Sequence, residues 1–211
     1  MDFIAEMKLL AQEGLRRDPN YQIFGARSHH WQFGKPADMQ EIRAFEKEMH
    51  ISLLEPLVRY LTELGDGGAG PDYGIYSLEE MRKYNPSLRQ TAKLPVMLDH
   101  SMTNAQWSDF AQKYEALDDI INTDHLAAYT KEQQERLFQE ERDMELSLIA
   151  GGVFIGTPGC TMNTILMCRG AAAGEVFVVD FDYIFTLRAE PHWCGRFEDW
   201  LINETKRSLG L

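Results

Sequence analysis

The chain has 211 residues, of which 44% are hydrophobic and 26% are charged. This composition excludes intrinsic disorder, collagen-like repeats and small disulfide scaffolds, and the length suits one domain. With 33 acidic and 21 basic residues the formal net charge is −12, which disfavours direct binding to nucleic acid or to an anionic membrane surface.

Apolar residues at helical spacing predict four helices in the first 84 residues. These helices cover residues 3–16, about 39–50, 56–64 and 78–84. Asp2 is placed to cap the first helix, and Asp38 with Glu41 suits the start of the second. Ser77 and Glu80 form a capping box at the start of the fourth. Between the first two helices, residues 18–37 predict an irregular, aromatic-rich arm packed on the core.

A glycine cluster with the sequence GDGGAGPDYG occupies residues 65–74. A GxGxxG pattern is present in it, but a dinucleotide site requires a preceding strand and a helix that opens at the last glycine. Here a helix precedes the cluster, and Pro71 leads into an extended segment. The cluster therefore predicts a tight loop with left-handed backbone that directs Tyr73 towards the core.

Residues 87–146 are helical and acidic, and they predict one or two helices with a capping box at Thr130 and Gln133. The apolar positions expected to face inward are Trp107, Phe110, Tyr114, Leu117, Leu137 and Met144. From residue 147 onward, short apolar stretches alternate with Gly and Pro turns, which is typical of strands. The predicted strands cover residues 147–155, 161–168, 175–181 and 183–187, and a final helix covers 196–208.

The connections between these strands are too short for crossover helices, so neighbouring strands should be antiparallel. Helices followed by such a sheet predict an α+β single domain, with an antiparallel β-sheet packed with several helices. No apolar run reaches the roughly 20 residues of a transmembrane helix, and the first residues do not resemble a signal peptide. Cys160, Cys168 and Cys194 form neither a CxxC pair nor a disulfide framework, so reduced thiols and a cytoplasmic location are expected.

The acidic residues are concentrated in two segments. Residues 38–72 contain 8 acids and 3 bases, and residues 112–146 contain 10 acids and 4 bases. Such runs are commonly solvated helix faces that keep a protein soluble. The functional alternative is an acidic surface that meets a basic partner.

The common catalytic signatures are absent from the sequence: there is no GxSxG, HExxH, P-loop or HxE…PCxxC motif. The adjacent carboxylates Glu140, Glu141 and Asp143 are expected to stay solvated and ionised, which does not suit acid–base catalysis. The pairs His29–His30 and His192–Cys194 lack two further ligands at zinc-site spacing. We therefore expect no metal and no cofactor.

A cysteine nucleophile was the remaining enzymatic alternative. Cys160 follows the turn 157–159 and would need a histidine nearby in space, with His192 as a candidate. A cysteine that enters a strand is more commonly a small buried apolar residue. The sequence accordingly predicts a protein that is not an enzyme, with an undetected hydrolase as the alternative.

Several short strings occur in an order that resembles one family. The most specific is GGAGPDYG at residues 67–74, and it follows EIRAFE at 41–46. The others are FGA at 24–26, ISL at 51–53, YL at 60–61, GCT at 159–161, Leu166 with Gly170, Gly174 with Val176, and Phe197 with Trp200-Leu201. Together these strings resemble the SUKH superfamily, also called the Smi1/Knr4-like family, over about residues 24–205. Pro56 and Phe177 depart from its pattern, and residues 87–146 match none of its strings.

The resemblance implies a SUKH domain at residues 24–208, containing the acidic segment 87–146, with a helical extension at 1–23. It further implies a non-enzymatic immunity protein that binds a cognate polymorphic toxin, such as a nuclease, in a 1:1 complex and blocks it. The alternative is a regulatory scaffold with several partners, as among fungal members. The motif loop, with a structural or a binding role, comprises Gly67, Gly68, Gly70, Pro71, Tyr73 and Gly74. The candidate acidic face for a basic toxin comprises Asp118, Asp119, Glu140, Glu141 and Asp143.

Overall fold

The structure is a computed structural model that describes residues 2–99, 103–180 and 191–211. Helices come first: α1 (Phe3–Arg17), α2 (Ala26–His29), α3 (Met39–Met49), α4 (Glu55–Arg59) with a π-helical turn (Tyr60–Leu64), α5 (Leu78–Tyr84), α6 (Leu88–Thr91), α7 (Asn104–Ile121), a 3₁₀ turn (Asp124–Ala128) and α8 (Lys131–Ile149). The sheet and a closing helix follow: β1 (Gly152–Gly159), β2 (Met162–Met167), β3 (Glu175–Asp180), β4 (His192–Arg196) and α9 (Phe197–Ser208).

The four strands form an antiparallel meander in the order β1-β2-β3-β4, so the α+β fold class is confirmed. The first strand begins at Gly152, because residues 147–149 complete α8 instead of starting the sheet as predicted. The predicted strand at 183–187 lies outside the described residues. Residues 192–196 form a strand that the sequence analysis missed, since its residues HWCGR lack a β-branched run.

Both faces of the sheet are buried by helices. Val153, Ile155, Leu166 and Val176 point to the larger core, which contains apolar residues of α1, α3, α4 and α9. Phe154, Ile165, Met167, Phe177 and Val179 point to the opposite face, where Trp107 of α7 and Leu148 of α8 cover them. Alternate residues of β1, β2 and β3 therefore enter different cores, which explains the consecutive apolar residues in these three strands.

Local capping signals predicted the starts of three helices correctly. The capping boxes at Asp38–Glu41, Ser77–Glu80 and Thr130–Gln133 are all present, and each involves the predicted pair. Asp2 stands at the N-cap position of α1, but the prediction that its side chain caps the helix is wrong. Its carboxylate instead accepts two hydrogen bonds, of 3.0 and 2.9 Å, from the Arg59 guanidinium. The carboxylate thus forms a charge-assisted bidentate pair with a residue of α4 in place of a bond to a backbone amide of its own helix.

The acidic segment forms two long antiparallel helices, α7 and α8, joined by the 3₁₀ turn; we call residues 104–149 the acidic hairpin. Trp107, Tyr114 and Leu117 are buried as predicted. Phe110 is half-buried and packs against the second core. Leu137 and Met144, which are also predicted to face inward, are only half-buried, and Leu148 is the buried residue of α8. Within the described residues, none of the helices has the length and apolarity needed to cross a bilayer.

Candidate partner-binding site

The glycine loop at residues 67–74 is held on both sides by backbone hydrogen bonds. The Gly68 amide donates to the Ile75 carbonyl and the Ile75 amide donates to the Gly68 carbonyl, both at 2.9 Å. The amide of Ala69 donates to Gln32 of the aromatic arm, at 2.8 Å. The buried hydroxyl of Tyr60 donates to the Ala69 carbonyl at 2.7 Å. These contacts give the loop a structural role between the arm and α4.

The left-handed backbone predicted for this loop is present. Gly67, Gly68 and Gly74 have φ angles of +78°, +116° and +89°. A β-carbon on Gly74 would lie 2.3 Å from the Gly68 carbonyl oxygen, so glycine is needed there for space as well as for conformation. Gly70 and Pro71 are buried without a positive φ angle. The motif residues thus lie together, but most of them are inaccessible to a partner.

Tyr73 does not point to the core as predicted; its side chain is 40% exposed. Its ring packs edge-on against the ring of Phe24, with centroids 5.2 Å apart, and Phe24 is 60% exposed. The reversal arises because Asp72, with φ of +50°, and Gly74 both adopt left-handed conformations, which turn the intervening residue outward. The loop therefore presents one exposed aromatic pair beside the β1–β2 turn.

The prediction that Cys160 is a small buried residue is wrong. Cys160 lies in the β1–β2 turn with φ of +52° and is exposed, because Gly159 and Cys160 reverse the chain there. Burial raises the pKa of the Cys168 thiol to about 12 and that of Cys194 to about 11, so both stay protonated at neutral pH. In the part of the chain that the structure describes, no three His, Cys, Asp or Glu side chains converge as a metal site requires.

A polar groove of about 830 Å³ lies beside the glycine loop, and the arm and α5 complete it. His29 lines it, and burial lowers the pKa of this imidazole to about 4. Asp66 also lines it and accepts a hydrogen bond of 2.7 Å from the Leu78 amide, while burial raises the pKa of its carboxyl group. The groove therefore combines a neutral histidine with a partly desolvated carboxylate.

The five candidate acidic residues do not form a single face. Asp118 and Glu141 lie at the seam between α7 and α8, together with Tyr114 and Glu145. The Tyr114 hydroxyl donates to Glu145 at 3.1 Å, and burial together with the negative charges of Glu145 and Asp118 raises the pKa of Glu141. Asp118 and Glu141 are therefore half-buried in the contact between α7 and α8, and only part of each side chain is accessible to a partner.

Glu140 and Asp143 lie on the other side of α8, along an apolar groove of about 520 Å³. We call it the α8 groove, and its lining residues are Leu94, Pro95, Arg136, Gln139, Glu140, Asp143, Met144 and Ser147. Asp119 is exposed elsewhere on α7, where its carboxylate is 3.5 Å from the ring of His125. Leu94 and Pro95 were not predicted as site residues, because only the tertiary fold brings them beside α8.

The charge of the acidic hairpin is strongly unbalanced. It contains 11 acids and 4 bases, which is a net charge of −7 out of −12 for the whole chain. Two of these bases are paired within their own helix, Lys113 with Asp109 and Arg136 with Glu132. Most of the remaining acids are exposed or half-buried, so the hairpin presents a negative potential to solvent.

The chain matches no known family model, no curated protein and no solved structure. The SUKH resemblance accordingly rests on the sequence strings quoted above. The geometry by itself defines an α+β protein with an acidic helical hairpin and an apolar groove along one side of α8.

Proposed function

We propose that this protein is a cytoplasmic, non-enzymatic immunity protein that binds and neutralises a cognate polymorphic toxin with a basic active surface, such as a nuclease. The observation that carries the proposal is the acidic hairpin, with its net charge of −7 over 46 residues. The resemblance of residues 24–205 to the SUKH superfamily supports it independently of charge.

Electrostatic complementarity is one way in which an inhibitor recognises a nuclease. A nucleic-acid-directed enzyme needs a basic cleft for its phosphate backbone substrate. A protein with a matching negative field is steered to that cleft and gains specificity for it. With all four of its bases counted, the acidic hairpin keeps a net charge of −7, and this excess sets its field at a distance.

A rigid surface is also needed, since ordering a flexible segment on binding reduces affinity. The acidic hairpin is anchored to the sheet by buried Trp107 and Leu148, which belong to the second core. The two helices are joined to each other by the hydrogen bond from Tyr114 to Glu145. The two helices that carry the acidic residues are therefore held in place before a partner arrives.

The test uses the intact tagged protein as bait in its native host, with a high-salt wash and mass spectrometry of what remains bound. We expect one stoichiometric partner, which kills cells when expressed alone and loses toxicity when this chain is co-expressed. Several substoichiometric partners, none of them toxic, would contradict the proposal and favour the regulatory scaffold.

A pair of charge-matched variants tests the role of the acidic hairpin in that complex. The triple variant Glu140→Gln, Glu141→Gln, Asp143→Asn should lower the association rate with the captured toxin by about tenfold at low salt. The control triple Glu55→Gln, Glu79→Gln, Asp199→Asn removes the same three charges from other helices and should change the rate much less. Equal effects would mean that net charge acts alone, without a defined binding surface.

A further inference from the structure

We infer that the α8 groove is a docking site for a basic side chain with an apolar stem, arginine above all, presented by the protein partner. That the partner is a toxin rests on the proposed function; the chemistry of the occupant comes from the groove itself. Three features of the groove favour this occupant: a continuous stripe of α8, an apolar floor below two carboxylates, and walls that are fixed before binding.

The stripe follows directly from helical spacing. The α8 residues that line the groove are Arg136, Gln139, Glu140, Asp143, Met144 and Ser147. Steps of three and four residues place them on one face of the helix. Glu141, Glu145 and Leu148 lie on the other face, towards α7 and the sheet. The groove and the packed seam therefore use different sides of the same helix.

The floor of the groove is apolar, and its rim is negatively charged. Leu94, Pro95 and Met144 supply the apolar surface, and Met144 is half-buried. Glu140 and Asp143 stand one helical turn apart above it, and both are exposed. Among the described residues that line the groove, Arg136 is the one cation, and Glu132 of the preceding turn binds its guanidinium. The charges that face an incoming group are thus mainly carboxylates.

This combination selects one kind of occupant. Asp143 accepts a hydrogen bond of 2.8 Å from the Gln139 side chain. A purely apolar segment would still remove the charges of Glu140 and Asp143 from water without adding a cation, which costs free energy. An anionic group would be repelled by the same carboxylates. An arginine side chain lays its methylene stem on the apolar floor and offers its guanidinium to the carboxylates in bidentate geometry. Methionine adapts its shape to such a stem better than a branched side chain does.

The wall opposite α8 is fixed by hydrogen bonds from the sheet side of the molecule. The Arg169 guanidinium donates to the carbonyl oxygens of Thr91 and Leu94, at 2.8 and 2.7 Å. On the helix side, Arg142 donates to the Gln90 side chain at 3.1 Å and so ties α8 to α6. The groove therefore exists before binding, and an occupant does not need to order it.

The experiment follows the Met144 methyl group by NMR in the full-length chain labelled with ¹³C-methyl methionine, with Met144→Leu for assignment. The probe is a 12-residue peptide of alternating leucine, serine and arginine. Two comparison peptides carry citrulline or alanine in place of every arginine. We expect the arginine peptide to shift the Met144 resonance saturably. The citrulline peptide should need a concentration at least about tenfold higher, which corresponds to the loss of one charge-assisted hydrogen bond.

Two charge-matched variants distinguish binding in the α8 groove from attraction to the negative charge of the acidic hairpin as a whole. Glu140→Gln with Asp143→Asn should raise the half-saturating concentration of the arginine peptide at least about tenfold. Asp119→Asn with Glu135→Gln removes two charges from the same hairpin outside the groove lining, and it should change that concentration less than twofold. Equal effects of the two variants would overturn the inference.

Two further results would also overturn it: no shift of Met144 in the unmodified chain, or equal binding of the arginine and alanine peptides. These results are distinguishable from a failure of the proposed function. The peptide titration contains no toxin, so a groove that binds arginine would stand even if no toxic partner were captured. Conversely, a captured toxin whose affinity is unchanged by the groove variant would leave the proposed function intact without this docking site.

Discussion

Gly25 lies directly against the backbone of Asp72, so that a β-carbon on Gly25 would be 1.9 Å from the Asp72 carbonyl oxygen. Both residues have left-handed backbone, with φ angles of +77° and +50°. The contact joins the aromatic arm to the glycine loop, two segments that resemble family strings in the sequence. The side chains that flank it, Phe24 and Tyr73, form the exposed aromatic pair.

From this contact we predict that a single methyl group added at position 25 strongly lowers the stability of the protein. Gly25→Ala should destabilise the protein by about 3 kcal/mol or more, since left-handed strain adds to a clash with backbone that cannot move aside. Gly210→Ala is the matched control: Gly210 has φ of +67°, and nothing lies within 4 Å of its added β-carbon. Its cost should be about 1 kcal/mol. Urea unfolding gives the free energy of unfolding of both variants. If the two variants lose similar amounts of stability, the contact between Gly25 and Asp72 can rearrange at little cost and the prediction is wrong.

Elements defined by neighbouring residues were predictable from the sequence. Capping boxes and apolar stripes placed α3, α5 and α9 within a few residues of their observed bounds, and the capping box at Thr130 marked the start of α8. The antiparallel order of the sheet followed from turns too short for a crossover. In each case the deciding interactions lie within a few residues along the chain, where spacing and residue type carry the information.

The orientation of single side chains was less predictable, because distant contacts decide it. The sequence predicts that Tyr73 and Cys160 are buried, yet both are exposed. Cys160 itself has a left-handed backbone conformation, and Tyr73 lies between two residues that do. The α8 groove depends on Leu94 and Pro95, which lie about 40 residues before α8's lining stripe. Helical spacing identifies that stripe, but it does not identify what lies opposite.

His29 predicts how the stability of the protein depends on pH. Burial lowers the pKa of its imidazole from 6.5 to about 4, so below pH 6.5 the unfolded chain binds a proton that the folded chain does not. The stabilisation from neutral His29 is therefore complete above about pH 6.5 and is lost progressively as the pH falls to about 4. The loss should amount to about 2 to 3 kcal/mol.

The variant His29→Asn isolates this contribution, because an asparagine oxygen can replace Nδ1 as the acceptor for the Trp31 amide, now 3.0 Å away. Its free energy of unfolding should fall less steeply than that of the unmodified protein between pH 7 and pH 4. His125→Asn, at an exposed position of the acidic hairpin, should keep the steep dependence. Parallel curves for all three proteins would assign the acid sensitivity to groups other than His29.

Glu141 has the opposite effect to His29, because its contribution to stability becomes more favourable as the pH falls. Burial, together with the negative charges of Glu145 and Asp118, raises the pKa of this carboxyl group, so the folded state disfavours its ionised form. The resulting penalty is complete above the raised pKa and vanishes below the unfolded value of about 4.5. Glu141→Gln should therefore raise Tm at pH 7 by about 1 °C, a small value because the site is partly solvated, and the gain should disappear at pH 4.

Glu140→Gln on the groove side is the control and should leave Tm unchanged at both pH values. A gain that persists at pH 4 would mean that packing of the amide, and not relief of charge at the α7–α8 seam, stabilises the variant.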